Sequence, residues 1–408
     1  MRFEEYNIDP EIKKSIEELG YKKPTDIQFK AIPNILKGED VLAIAQTGTG
    51  KTAAFAIPIL HLLALSRRKK EVKAVVMVPT HELAIQITEV FHTLGKYTKV
   101  KTLGIFGGVD QAPQIKQLKE GADIVIATPG RLFDLVSQGH LDLSNIQILV
   151  LDEADLMLDL GFYKDIRDML RFLPRFRQTL FFSATINEKI KKLAYSIVKN
   201  PIRIQISPKD PVSKNITHSV MNVKMDDKRY FLERLIKENP DNKILVFVRT
   251  KVRAERVFQA MERVGIECLT MHSGKEQQDR VSVMNDFKTG LFKILIATDV
   301  SSRGVDIPNV DFVVNYDLPD VAENYVHRVG RTGRGTLKGR AITFCAPEEK
   351  ELLDAIEGFM DKKVIVSDIG KADYEETLAT TEEVNTNWKQ LMKEAEAEAA
   401  KRKKKNKK

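Results

Sequence analysis

The sequence predicts an α/β protein of two tandem domains, each a parallel sheet with helices on both faces. Three observations carry that prediction. Short apolar, β-branched runs alternate with longer amphipathic stretches, the signature of strands separated by helices. The runs are continuously apolar, which suits strands buried on both faces of a parallel sheet. The whole plan occurs twice in 408 residues, on either side of SPKDPVSKN, Ser207 to Asn215, whose prolines and polar residues suit an extended linker.

In order, the first half offers strands at Val41 to Ala45, Ala74 to Val78, Ile124 to Ala127, Ile148 to Leu151 and Thr179 to Phe182. The second half offers Ile244 to Val248, Glu267 to Met271, Ile294 to Ala297, Phe312 to Asn315 and Ala341 to Cys345. The expected domains are residues 1–207 and 218–368, with a linker over 208–217. Beyond 368 the pattern fails, and 369–408 reads as a mobile tail ending in the basic run Lys401 to Lys408.

A hydrophobic content of 43% excludes a wholly disordered chain. The net charge of +8 resides mostly in the tail, because seven of the last eight residues are basic. Cys268 and Cys345 lie far apart in apolar surroundings, without metal-ligand spacing, and read as buried thiols in a reducing compartment. The N-terminus lacks a signal pattern, and the most apolar stretch, Ala53 to Leu65, is too short to span a bilayer. The expectation is a soluble, cytoplasmic chain without a membrane partner.

The first chemistry lies after the first strand, in AQTGTGKT, Ala45 to Thr52. This matches the end of the phosphate-binding loop pattern, with Ala45 where the strict form has glycine. Gly48, Thr49 and Gly50 let backbone N–H groups approach phosphate oxygens at a helix N-terminus. Lys51 would pair with β and γ phosphates, and Thr52 would ligate Mg²⁺. The tetrapeptide Asp152 to Asp155, DEAD, follows the strand ILVL. A carboxylate at the C-terminal end of a parallel strand lies where open α/β sheets bind ligands. Asp152 is therefore the acid on the Mg²⁺ side, and Glu153 is placed to orient or deprotonate the attacking water. These features describe an Mg²⁺-dependent nucleotide hydrolase.

In the second half HRVGRTGR puts His327, Arg331 and Arg334 at i, i+4 and i+7, one face if the segment is helical. Gly330 and Gly333 would make that helix costly by about 1 kcal/mol each. A cationic stripe there reads as arginine fingers that stabilise the transferred phosphoryl group and make hydrolysis depend on domain closure.

Together these motifs resemble the DEAD-box ATP-dependent RNA helicases, of the bacterial RhlE-like kind, in order and spacing from Phe3 to about Cys345. The resemblance implies tandem RecA-like domains and ATP as the nucleotide. It implies that Gln28, in GYKKPTDIQ, reads the adenine edge while Phe3 stacks on the ring, and that Asp306 contacts the ribose. Coupling of nucleotide state to RNA would fall to Ser183 and Thr185 of SAT, with Asp155, Arg303 and His327. RNA contacts would come from Pro79 and Thr80 of PTHELA, Gly108, Thr128, Pro129 and Arg131 of TPGR, Thr250 of FVRT, Gln277, Arg280 and Thr298. His81 stands where the family has arginine, which weakens one phosphate contact.

Such groups grip sugar and phosphate without reading bases. The implied activity is local separation of short RNA duplexes, or remodelling of RNA–protein complexes, by a monomer. An ATP-gated RNA clamp with little turnover is the alternative; Lys51, Glu153, Arg331 and Arg334 together favour turnover. The basic run Lys401 to Lys408 reads as a salt-sensitive RNA tether, and Trp388 could dock on a protein partner or pack on the second domain.

Overall fold

The computed structural model describes residues 2–46, 48–65, 71–206, 212, 215–299, 310–333 and 338–379. The chain divides into two compact units, with the change falling between Pro211 and Val212.

The first unit is built on seven strands: β1 (Val41–Ala45), β2 (Ala74–Met77), β3 (Thr102–Ile105), β4 (Ile124–Ala127), β5 (Ile148–Leu151), β6 (Gln178–Ser183) and β7 (Ile202–Ile206). Their order is β3-β4-β2-β5-β6-β1-β7, and every pairing is parallel. Successive side chains of a strand point to opposite faces. Accordingly Val41, Ala43 and Ala45 of β1 enter one core with the helices Asp26–Leu36, Lys51–Ala64 and His81–Leu94. Leu42 and Ile44 enter a second core with Pro129–Ser137, Tyr163–Met169 and Glu188–Ile197.

The second unit repeats the plan with β8 (Ile216–Asn222), β9 (Ile244–Val248), β10 (Leu269–Met271), β11 (Ile294–Thr298), β12 (Phe312–Asn315), β13 (Gly339–Cys345) and β14 (Ile365–Val366). The order is β10-β11-β9-β12-β13-β8-β14, again parallel throughout. Both cysteines are buried, and burial pushes the Cys268 thiol up to about 12.

The structure alters three sequence expectations. Strands β3, β7, β8 and β14 were not expected: β3, β7 and β8 lie at or beside sheet edges and carry polar or small residues that break the apolar run, and β14 is only two residues long. Strand β8 starts at Ile216, so the end of the expected linker is already paired with β13. The tail expected from 369 begins with a helix over 371–379. Tyr374 and Thr377, one turn apart, hold this helix to the second unit. The Tyr374 ring lies 4.8 Å from Phe231, its hydroxyl donates to Asp227 Oδ2 at 2.7 Å, and Arg234 Nη1 donates to Thr377 Oγ1 at 2.7 Å. Its acidic composition had disguised that face as solvated chain. Trp388 and Lys401 to Lys408 lie outside the described residues.

Under the C-terminal ends of β9, β12 and β13 lies a buried ionic network. Lys228, fully buried, donates to Glu349 Oε2 at 2.5 Å and to the Tyr316 carbonyl at 2.7 Å. Glu349 also accepts from Arg249 Nη2, Leu318 N and Ala346 N. Burial lowers the Lys228 pKa, and the neighbouring carboxylates of Glu349 and Asp317 oppose that shift. Breaking a buried pair strands the remaining charge, so Lys228→Met is expected to destabilise the fold by about 3–5 kcal/mol. Adding Glu349→Gln should recover part of the loss. Urea denaturation of the three proteins tests both expectations, and a double variant less stable than Lys228→Met would contradict them.

Candidate functional site

All strands of a unit run in one direction, so the loops following them emerge at one edge of its sheet. In the first unit that edge gathers AQTGTGKT after β1, PTHELA after β2, Gly107-Gly108 after β3, TPGR after β4, DEAD after β5 and SAT at the end of β6.

The loop after β1 turns through Gly48 (φ 80°) and Gly50 (φ 90°), left-handed conformations that glycine adopts without the usual steric penalty. Gly50 has a second constraint: an added Cβ would lie 2.5 Å from Gln28 Nε2. Gln28 braces this turn, donating from Nε2 to the Gly50 carbonyl (3.1 Å) and accepting the Thr25 N–H at Oε1 (2.9 Å). One N–H and one lone pair of its amide remain for a base edge. Phe3 packs into the core with its ring 6.1 Å from Tyr6 and 6.4 Å from the exposed Tyr21.

Lys51 opens the following helix and is only 6% exposed, yet its ammonium has no hydrogen-bond partner among the described residues. Asp152 is buried nearby; burial pushes its carboxyl pKa up, and the Lys51 cation only partly offsets this. A buried ammonium without hydrogen bonds is unfavourable. An anionic phosphate group would satisfy it, and the glycine turn and helix N-terminus fit the same ligand. A cation beside that anion would draw protein ligands from Asp152 and Thr52. So few protein oxygens suit Mg²⁺, which keeps several waters and shares substrate phosphates.

Glu153 adopts φ 51°, ψ 49° immediately before the helix Ala154–Asp159. A non-glycine residue there is strained by roughly 1–2 kcal/mol. The Glu153 N–H donates to Asp152 Oδ1 at 3.0 Å, which orients the Asp152 carboxylate against the turn backbone. Asp155 reaches to the end of β6, where its Oδ2 accepts from Ala184 N (3.1 Å), Thr185 N (3.0 Å) and Thr185 Oγ1 (3.3 Å). Ser183 Oγ is buried without a hydrogen-bond partner among the described residues.

Along the same edge the buried Thr80 caps His81–Leu94 by accepting the Leu83 N–H at 3.3 Å, and a hydroxyl that accepts such a bond still carries a hydrogen to donate. The His81 ring packs 5.7 Å from Phe106. Gly108 is left-handed (φ 70°), and Thr128 N bonds to the Ile105 carbonyl ahead of Pro129. Arg131 turns inward, donating to Gln114 Oε1 (2.9 Å) and the Val109 carbonyl (2.8 Å). Gln114 in turn donates to the Phe106 carbonyl at 3.1 Å. Gln114 thus holds the double-glycine loop, and sequence reasoning passed over it because a lone glutamine in an amphipathic helix carries no signal.

The second unit has an equivalent edge. Thr250 caps Lys251–Arg263 as Thr80 caps its helix, accepting Arg253 N at 3.1 Å. Gln277 opens the helix Gln277–Thr289, which carries Arg280, and Thr298 ends β11. The segment HRVGRTGR departs from its expected form. Its helix is Ala322–Val329 and ends at Gly330; Thr332 then bridges Val310, and Gly333 is left-handed (φ 64°). The helical face drawn from His327 onward is therefore broken before Arg331, because the helix has ended and Thr332 draws the chain toward the sheet. Arg331 is buried, with its Nε donating to the His327 carbonyl at 3.3 Å.

Arg328, not singled out from sequence, is only 1% exposed. It makes a bidentate pair with Asp299 at 2.6 and 2.7 Å and donates to the Asp317 carbonyl at 2.7 Å. The available signal was a charge match between Asp299 of ATD, just past the end of β11, and the arginine following His327. Arg303, Asp306 and Arg334 lie outside the described residues.

Residues 25–193 match the DEAD/DEAH box helicase family, and 227–336 match the helicase conserved C-terminal domain. The chain is 40% identical over 359 residues to the ATP-dependent RNA helicase DbpA of Bacillus subtilis, covering 88% of this chain and 74% of that protein. It is 42% identical over 352 residues to the DEAD-box ATP-dependent RNA helicase RhpA of Helicobacter pylori, covering 86% and 71%. S. cerevisiae Dbp5 bound to RNA and ADP BeF3 superposes with a TM-score of 0.83 at 32% identity, over 94% of this chain and 99% of that one. The DEAD-box helicase Mss116 bound to ssRNA and UDP-BeF gives a TM-score of 0.83 at 29% identity, over 92% and 81%. With the motif loops gathered at the ends of two parallel sheets, these matches establish that the chain belongs to the DEAD-box family of ATP-dependent RNA helicases.

Proposed function

We propose that the chain hydrolyses ATP in response to RNA and uses the cycle to separate short duplexes or remodel RNA–protein complexes without reading base sequence. The observation that carries this reading is the linked set of buried charges in the first unit. The Lys51 ammonium, without a hydrogen-bond acceptor among the described residues, and Asp152 lie at one end, and Asp155 joins the same acidic turn to Ala184 and Thr185 at the other. A change of charge at Asp152 is thereby joined through three residues of backbone to the SAT loop.

In this reading Gly48, Thr49, Gly50 and Lys51 hold the phosphates, Gln28 and Phe3 hold the base, and Thr52 and Asp152 hold Mg²⁺. Bound Mg²⁺ supplies positive charge against the phosphate oxygens. Glu153 orients the attacking water and accepts its proton, and its strained backbone supports that role because a fixed base must hold one direction. Arg331 and Arg334 supply cationic stabilisation from the second unit, and Asp306 the ribose contact. Pro79, Thr80, Gly108, Thr128, Pro129, Arg131, Thr250, Gln277, Arg280 and Thr298 grip the RNA backbone. Ser183, Thr185, Asp155, His327 and Arg303 couple the two events. The two threonine caps, whose hydroxyls still carry a hydrogen, support a sugar–phosphate grip, since phosphate oxygens accept hydrogen bonds without base information.

The RhlE-like branch, a monomeric state, protein partners of the tail and a cytoplasmic location belong to the same proposal. No helix among the described residues is long and apolar enough to cross a membrane.

Three outcomes are expected. Glu153→Gln should retain ATP and RNA binding while turnover falls by about 10²–10⁴, the usual scale for a general base; near-normal turnover would refute that role. Arg331→Ala should leave ATP affinity largely intact and slow RNA-stimulated hydrolysis by roughly 10³ or more, and a loss confined to nucleotide binding would contradict it.

The third concerns pH. Burial raises the Asp152 pKa, so a proton competes with the cation and Mg²⁺–nucleotide affinity should fall on acidification. Asp152→Asn, which cannot titrate, should bind more weakly and with a flatter pH dependence. Parallel pH curves for the two proteins would remove Asp152 from the cation site.

A further inference from the structure

Beyond the family motifs, a compact polar cluster joins two segments of the second unit. Glu255 lies on the helix Lys251–Arg263, whose cap is Thr250. Its Oε1 accepts from Thr270 Oγ1 (3.1 Å), His272 Nε2 (2.7 Å) and Lys275 Nζ (3.3 Å). Burial opposes the charged form of Glu255, but hydrogen bonds from His272 and Lys275 outweigh it, and its carboxyl lies below the usual range.

His272 follows β10 and is buried. Its second ring nitrogen, Nδ1, accepts the Gly274 N–H at 3.1 Å, and the His272 carbonyl accepts the Lys275 N–H. A backbone N–H can only donate, so Nδ1 must be the unprotonated nitrogen and Nε2 the one carrying hydrogen toward Glu255. The imidazole is a two-ended link with its tautomer set by its partners. Gly274 fits closely over it: an added Cβ would lie 3.1 Å from His272 Nδ1 and 3.6 Å from Lys251 Cδ. Three residues later Gln277 begins the helix that carries Arg280.

We propose that Glu255 and His272 are positioning residues that hold the loop leading to Gln277 and Arg280 in register with the helix capped by Thr250, so that the candidate RNA-gripping groups of the second unit act as one surface. This rests on the reading that Gln277 and Arg280 contact RNA. Neither Glu255 nor His272 touches RNA or nucleotide in this scheme. Their effect is on how much RNA is needed, not on the chemical step.

The test is RNA-stimulated ATPase of the full chain, with a single-stranded homopolymeric RNA as probe. His272→Ala should raise the RNA concentration for half-stimulation by about tenfold, the scale of one lost charge-assisted hydrogen bond. The rate at saturating RNA, the KM for ATP and the RNA-free rate should stay near wild type. Asn can present its oxygen near the Nδ1 position and Gln its N–H₂ near Nε2, so His272→Asn and His272→Gln should each restore part of the RNA response. Glu255→Ala should match His272→Ala, and the double variant should be little worse than either, because both remove the same link.

An unchanged half-stimulation in His272→Ala, beside a raised one in Gln277→Ala, would overturn the inference. So would equal falls in every kinetic parameter without rescue, or single effects that multiply in the double variant. If Gln277→Ala and Arg280→Ala themselves leave half-stimulation unchanged, the RNA reading of that helix fails, and the inference with it.

Discussion

Strand direction is the constraint on which the rest of the structure depends. In both sheets every observed pairing is parallel. Parallel neighbours cannot be joined by tight hairpins, so each connection crosses a face of the sheet, usually as a helix. Two consequences follow at once. Both faces are covered, which demands strands apolar on both sides, and every strand delivers its loop to the same edge. Motifs spread far apart along each half are thereby collected without any side chain having to reach far.

At those edges buried charges are held in two ways. Lys228, Glu349 and Arg328 are buried with their partners in place: Lys228 has two acceptors, Glu349 four donors, and Arg328 a bidentate carboxylate. Such networks fix loop positions, because removing one member strands another. Lys51 is buried too, but its ammonium lacks a hydrogen-bond acceptor among the described residues. Burial alone therefore does not separate a structural charge from a functional one. The separating quantity is satisfaction, since a group left unsatisfied by the fold is poised to be satisfied by a ligand.

This distinction also sets what the sequence could reveal. The central strands were legible almost residue for residue, as at Val41–Ala45, Ile148–Leu151 and Ile244–Val248, because burial on both faces leaves an unbroken apolar run. Strand β7, IRIQI, has one face in solvent, so polar residues alternate with its isoleucines and no unbroken apolar run marks it. The glycine turn, DEAD and SAT were legible as chemistry because rare residue combinations occur at fixed spacing. Gln114, Arg328, Glu255 and His272 were not legible, since each depends on a partner far along the chain: Arg131 for Gln114, Asp299 for Arg328, and Glu255 and His272 for one another. HRVGRTGR was misread for a related reason. Periodicity describes a helix only while the backbone stays helical, and Thr332 leaves it to pair with Val310.

Glu153 brings these arguments to a single residue. Its left-handed backbone is one that glycine would adopt without strain, so stability alone would favour glycine after Asp152. Glycine would remove the carboxylate and also free the turn, loosening the hydrogen bond between the Glu153 N–H and Asp152 Oδ1. A strained glutamate held between a strand end and a helix start keeps its direction only because both neighbours are fixed, β5 by parallel pairing on each side and the helix by Asp155 bonded across to β6. The strain is thus sustained by the sheet itself. The same strand order that brings the motifs together is what allows an unfavourable backbone to persist where a water must be aimed.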